Sequence, residues 1–294
     1  MHSRHIRVGR LLAWAIICLA MLCTLFPIYW MLRTSVTPAG DLFSDNFSLL
    51  PKHPTLINFK RVIGMTNLAE TQAAGGSGAR INFLLYLRNS IIYAGVVVLV
   101  QTLACSMAAY ALARLRFRGR TTIFTVLVAS LMIPPIFTLL PNFALMKQLH
   151  LLNTFAGLIA PSLLMTPFSI FFLRQFFLSI PREVEEAAVL DGASRWTVFF
   201  RVIMPMSKGP LMTIGLTLWV WSWKDFLWPL LVAPKEGTRV LTAALDIFLQ
   251  QSPNSSPDWT GLMAASTLTV LPVVLLLVIF GRRMVNAISF TGIK

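Results

Sequence analysis

Long uncharged apolar stretches recur along the chain, separated by shorter polar or proline-bearing segments. Residues 11–32, 89–113, 121–146, 151–173 and 259–281 contain no Asp, Glu, Lys or Arg. Each exceeds the roughly 20 residues an α-helix needs to cross about 30 Å of hydrocarbon. A sixth window, 209–234, is interrupted by Lys224 and Asp225. It spans only if that pair faces protein or water rather than lipid. None of the six has the polar face that a helix of a water-soluble protein presents. The pattern predicts an all-α integral membrane protein with six transmembrane helices. The first window is too long for a signal-peptide core, and the bulky Tyr29, Trp30 and Met31 leave no small-residue cleavage pattern. It reads as a retained span.

Composition agrees. Hydrophobic residues make up 56% and charged residues 12%, with a mean hydropathy of +0.72. Soluble domains carry about 25% charge. A soluble globular domain, a disordered chain and a disulfide scaffold are excluded. The net charge of +14 raises nucleic acid, but nucleic-acid binders are basic and hydrophilic, so no nucleic-acid partner is expected. Orientation accounts for most of the charge. With both termini cytoplasmic, segments 1–10, 114–120, 174–208 and 282–294 hold fifteen of the 25 Lys and Arg, among them Arg114, Arg116, Arg118 and Arg120. That asymmetry is the positive-inside signal. Cys18, Cys23 and Cys105 fall within predicted spans and read as packing residues. Ala104 and Ala108, and Ala109 and Ala113, are spaced for close helix packing.

The expected organisation is a cytoplasmic N-terminus and first span (1–33), an external loop (34–83), a membrane core (84–281) and a cytoplasmic tail (282–294). The small, polar run from Thr71 to Arg80 reads as a flexible insertion. The cytoplasmic segment 179–210 carries sharp local signals. Pro181 sits in a helix's first turn, followed by Glu183, Glu185 and Glu186, where negative charge suits the helix dipole. Gly192 is placed to end that helix in a left-handed conformation. Ser194 is placed to cap a second helix that stops near Pro205. Ala187 and Ala188 leave a low surface for another protein. The bland alternative is a solvated connector.

Segment 179–210 resembles the EAA loop of binding-protein-dependent ABC importer permeases. The residues that carry the resemblance are Glu186, Ala187 and Ala188, then Asp191, Gly192 and Ala193, then Ile203, Pro205 and Pro210. Asn89 and Ser90, Tyr110 through Arg114, Arg118 to Arg120, Pro134 and Pro141, the Phe171 to Phe177 run, and Phe226 through Leu230 resemble the carbohydrate-uptake branch, in its shorter, MalG-type form. The resemblance implies a type I ABC importer permease fold in a bacterial inner membrane, surrounded by membrane lipid. It implies a second homologous permease, two ATP-binding cassette subunits and a soluble substrate-binding protein as partners. Glu186, Ala187, Ala188, Asp191 and Gly192 match the positions that dock on the ATPase. The external loop 234–258, opened by Pro234 and closed by Asp258, matches one that reaches toward the binding protein. ATP and Mg²⁺ are then used by the partner, whose cycle drives alternating access. The chain itself has no G-x-x-x-x-G-K-[ST] phosphate loop, and no cofactor, metal site or catalytic residue is expected in it.

The fifth span carries the candidate translocation residues Trp219, Trp223, Lys224 and Asp225. Charges at this depth usually mark a cavity or pathway, and Trp faces suit sugar rings. A structural ion pair and an interfacial aromatic belt are the competing readings. Relatives of this type usually carry Asn where Lys224 stands, so Lys224 points to an acidic saccharide, alginate-like or uronate-like. A glycerol phosphate or a neutral oligosaccharide is the alternative. Two other classes fit less well. A secondary transporter needs repeats and coupling acids. A membrane-embedded enzyme needs paired carboxylates, H-E-x-x-H or G-x-S-x-G, none of which is present.

Overall fold

The computed structural model describes residues 2–42, 48–73, 76, 81–163, 165–250 and 257–289, the side chains of 2–8 and 282–289 excepted. Part of the expected insertion, residues 251–256 of the loop expected to be external, and the last five residues with Lys294 lie outside the described residues. Among those described, every regular element is helical. In chain order they are α1 (His2–Ser35), α2 (Ile57–Val62), α3 (Leu68–Ala73), α4 (Phe83–Arg114), α5 (Arg120–Ser130), α6 (Pro135–Gln148), α7 (Phe155–Ile159) and α8 (Pro167–Ser179). There follow α9 (Arg182–Leu190), α10 (Arg195–Val198), α11 (Met204–Met206), α12 (Lys208–Lys224), α13 (Leu227–Val232), α14 (Leu241–Ala244), α15 (Ile247–Gln250) and α16 (Trp259–Ser289).

Two compact units emerge: residues 1–84 with 244–271, and residues 85–243 with 272–294. In the first, α1 exposes its apolar side chains along its length, with Leu11, Trp14 and Leu22 all more than half exposed. Such a surface is stable only against hydrocarbon or a partner. Cys18 and Cys23 lie on this exposed surface, so of the three cysteines only Cys105 is a buried packing residue. The segment after α1 is not a bare loop: it forms α2 and α3, and the end of α3, Thr71 to Ala73, falls in the stretch expected to be a flexible insertion. Asn58 on α2 donates to the carbonyls of Ser35 and Thr37, both at 2.9 Å. Buried Arg61 meets Asp258 at 3.1 Å, and Asp258 accepts from Gly261 N–H at 2.8 Å to cap α16.

The second unit holds two apolar cores. One joins α4 to α8, α10 and α12 through Ala109, Ala113, Leu173, Phe177, Val198 and Ile214. The other joins the first half of α4 to α6, α7 and α13 through Val97, Met146, Leu158 and Val232.

Three helices are long and apolar enough to cross a membrane among the described residues: Gly9–Ser35, Phe83–Arg114 and Trp259–Gly281. The windows at 121–146 and 151–173 are not straight spans. The first is bent by 99° between α5 and α6, the second by 48° before α8. Prolines cause both. A residue preceding proline is pushed out of the helical region. Pro134, before Pro135, has ψ 135°, and Thr166, before Pro167, has ψ 121°. The 17-residue α12 also stops short, at Asp225, whose ψ is 123°. Pro229, four residues on, has no N–H for the Asp225 carbonyl and would clash with it in a continuous helix. That carbonyl instead accepts from the Thr242 hydroxyl at 2.7 Å.

Candidate functional site

The segment after α8 folds as a helix, a glycine turn and a second helix. Ile180 precedes Pro181 and is extended, with ψ 131°. Pro181 is therefore the N-cap of α9 and stands just outside the first turn expected for it. At the far end Ala193 N–H bonds to the Ala188 carbonyl at 3.0 Å, and Gly192 N–H to that of Val189 at 2.9 Å. This double closure requires a left-handed residue, and Gly192 has φ +80°. Ser194 accepts from Thr197 N–H at 3.2 Å and caps α10. The second helix stops near Pro205, as expected: it passes through a π-helical turn at Phe199–Ile203 that widens the backbone, and it ends at Ser207. A widened turn gives the Pro205 ring room against the Arg201 carbonyl.

On α9 the exposed residues Glu183, Glu186, Ala187 and Leu190 follow an i, i+3, i+4, i+7 spacing. They form one face. Leu190 is 88% exposed. Ala188 turns the other way and packs on the core, so the low surface expected from both alanines comes from Ala187 alone. Asp191 and Gly192 are exposed at the turn. A Cβ at Gly192 would meet nothing within 4 Å, so Gly192→Ala is penalised by its φ alone. We expect a loss of about 1–2 kcal/mol, read as a lower thermal unfolding midpoint, with Gly192→Asn less affected.

Beneath this face two arginines clasp α4 and α8. Arg114, at the end of α4, donates to the carbonyls of Phe177 and Ile180 at the end of α8. Arg174 on α8 donates to the carbonyl of Leu112 at 3.1 Å. Each helix C-terminus thus has its unpaired carbonyls met by a cation from the other. Arg114 Nε also lies 2.8 Å from Glu185 Oε1, with side chains 5% and 16% exposed. The N–H direction does not suit a hydrogen bond, so the contact is an ion pair. It ties α9 to the end of α4.

The second feature is a cavity of about 640 Å³ beside the break between α12 and α13. Its lining is largely apolar, with Tyr93 and Gln101 from α4, Asn142 from α6, and Trp221, Lys224 and Asp225 from the break. Lys224 and Asp225 do not pair with each other. Asp225 accepts from the Tyr93 hydroxyl at 3.1 Å, while the Lys224 ammonium lies 5.3 Å from the centre of the Trp221 ring. Trp228 donates its indole N–H to the Leu158 carbonyl at 3.0 Å, which pins α13. Trp219 and Trp223 stack on each other, with ring centres 5.7 Å apart. Neither lines this cavity; Trp221 does. A few polar groups converging in an apolar hollow suit a ligand with both ring faces and hydroxyls.

Residues 101–289 match the family described as binding-protein-dependent transport system inner membrane component. The chain belongs to this family. It is 31% identical over 280 residues to the diacetylchitobiose uptake system permease protein NgcG of Streptomyces coelicolor, covering 95% of this chain and 85% of that one. It is 30% identical over 279 residues to the trehalose/maltose transport system permease protein MalG of Thermococcus litoralis, covering 95% and 94%. A solved structure, titled a bacterial ABC transporter involved in the import of the acidic polysaccharide alginate, matches with a TM-score of 0.79 at 22% identity, covering 94% of this chain and 96% of that one. That likeness shows the ABC permease fold.

As a permease of this family the chain is a multi-pass inner-membrane component and not itself an enzyme, and membership implies an ATPase and a substrate-binding protein as partners. Of the loop expected to be external, Pro234, Lys235, Glu236 and Gly237 are exposed, whereas Val240, Leu241, Ile247 and Phe248 are buried. Sequence reading missed Tyr93, Gln101 and Asn142 in the cavity. Gln101 and Asn142 were detectable, as polar amides inside uncharged windows. The pairing of Glu185 with Arg114 had no such signal, because each residue had a sufficient local explanation.

Proposed function

We propose that this permease forms half of the translocation path of an ATP-driven importer for an oligosaccharide, and that the oligosaccharide is acidic. Six spans are assigned to α1, α4, the bent pairs α5–α6 and α7–α8, the broken α12–α13, and α16. Both termini are cytoplasmic, as the Lys and Arg distribution favours. A second homologous permease completes the path, and two ATPase subunits use ATP and Mg²⁺. The exposed face of Glu183, Glu186, Ala187 and Leu190, continued by Asp191 and Gly192, docks on one of them. The external loop at Pro234 and its neighbours meets the binding protein. Transport follows alternating access.

The observation that carries the substrate class is the cavity, where Trp221 and several hydrogen-bonding side chains converge. Relatives named for diacetylchitobiose and for trehalose and maltose support a saccharide. The acidic assignment rests on Lys224, which lines the cavity and whose ammonium lies over the Trp221 ring without a carboxylate partner among the described residues. The presence of Asp225 in the same lining favours a second reading, a neutral oligosaccharide. Co-purification tests the assembly: the tagged chain should bring down a second permease and an ATPase. A chain that purifies alone and transports alone would sink it.

A further inference from the structure

A second cavity, of about 440 Å³, opens where the turn after α4 meets the start of α9. Four arginines line it, Arg114, Arg116, Arg120 and Arg182, and no Asp or Glu does. Glu185 neutralises Arg114. Arg116, Arg120 and Arg182 line the same hollow with no counter-charge in its lining; Arg120 also donates to the Leu115 carbonyl at 3.3 Å, which leaves its charge uncompensated. Like charges brought together this way repel unless an anion sits between them. Orientation in the membrane needs arginines near the ends of spans; it does not need them converging on one hollow. The backbone adds to the field. Gly119, at φ +83°, turns the chain into α5, which begins with no side-chain cap. Its first-turn residues Thr121 and Thr122 line the same cavity, which places the positive end of the helix beside it. Phe117, 41% exposed, borders the hollow and gives one wall apolar character.

We propose that this cavity binds a phosphate group. Guanidinium forks match phosphate oxygens in a bidentate fashion. Two sources share that chemistry, the headgroup of an anionic phospholipid and free inorganic phosphate. The site rests on the reading that the turn after α4 and α9 lie at the cytoplasmic membrane surface. There a basic pocket between spans meets lipid headgroups.

The test uses the full chain, purified and stripped of lipid, with binding read by native mass spectrometry. Phosphatidylglycerol, phosphatidylcholine and inorganic phosphate are added separately and in competition. Arg116 and Arg182 are exposed, so their replacement leaves the fold intact. The double variant Arg116→Gln/Arg182→Gln should lose phosphatidylglycerol about a hundredfold, tenfold for each charged hydrogen-bonding partner. Arg116→Lys keeps the charge and should recover part of it. Arg118→Gln removes the same charge from the same turn but outside the cavity, and should change binding no more than about twofold, its charge being screened. Displacement of phosphatidylglycerol by inorganic phosphate would identify a soluble anion as the occupant; resistance to it would identify the lipid. Equal retention of phosphatidylglycerol and phosphatidylcholine with no phosphate binding, an unaffected double variant, or an equal loss in Arg118→Gln would overturn the proposal. Binding is read on the chain itself, so a missing ATPase partner would count against the importer reading and not against this site.

Discussion

Arg114→Leu is expected to cost the second unit about 3–5 kcal/mol, seen as a large drop in thermal unfolding midpoint. The variant removes a buried cation from three partners at once. The carbonyls of Phe177 and Ile180 lose their donor, and the Glu185 carboxylate is left without its opposite charge. Breaking a buried pair from one side costs more than replacing both partners by apolar groups. Arg114→Leu/Glu185→Leu should therefore be more stable than Arg114→Leu alone. If the two variants unfold together, the ion pair is not what the arginine contributes. Glu185→Gln should be milder, because Arg114 keeps its two carbonyls. The same contacts join α9 to the ends of α4 and α8, so these variants should also weaken retention of the ATPase subunit.

Lys224→Asn carries the second large effect. If the cavity holds an acidic saccharide, the ammonium supplies a charge-assisted hydrogen bond worth about 1.5–3 kcal/mol. Its loss should weaken uptake of an acidic oligosaccharide about tenfold to a hundredfold, while ATP hydrolysis stays coupled. A neutral oligosaccharide should be affected no more than about twofold. Uptake of the acidic sugar at the wild-type level would remove Lys224 from the path. Trp221→Ala belongs to the same series, since Trp221 and not Trp219 or Trp223 lines the cavity.

The apolar windows were legible because lipid imposes an almost uniform composition on anything that crosses it. α1, α4 and α16 fall where those windows predict. The turn at Gly192 and the cap at Ser194 were legible for another reason: each depends on residues within five positions. The bends were only half legible. Pro134, Pro135 and Pro167 were visible, but a window average does not show that a proline turns a span by 99°. The break at Asp225 needed Pro229 to be read against the carbonyl four residues earlier. The clasp of Arg114 and Arg174 was invisible, because it joins residues more than 60 positions apart. For the same reason the tryptophan that borders the cavity could not be chosen among the three of α12; only packing decides which of them lines it.

On the proposed reading this chain transports a saccharide only as part of an ATP-driven assembly. The most direct measurement reconstitutes the purified complex in liposomes and follows ATP hydrolysis with and without the substrate-binding protein. Hydrolysis should be slow alone, change little with the empty binding protein, and rise markedly with the saccharide-loaded one, matched by sugar accumulation. Hydrolysis indifferent to the loaded binding protein, or uptake that proceeds without ATP, would contradict it.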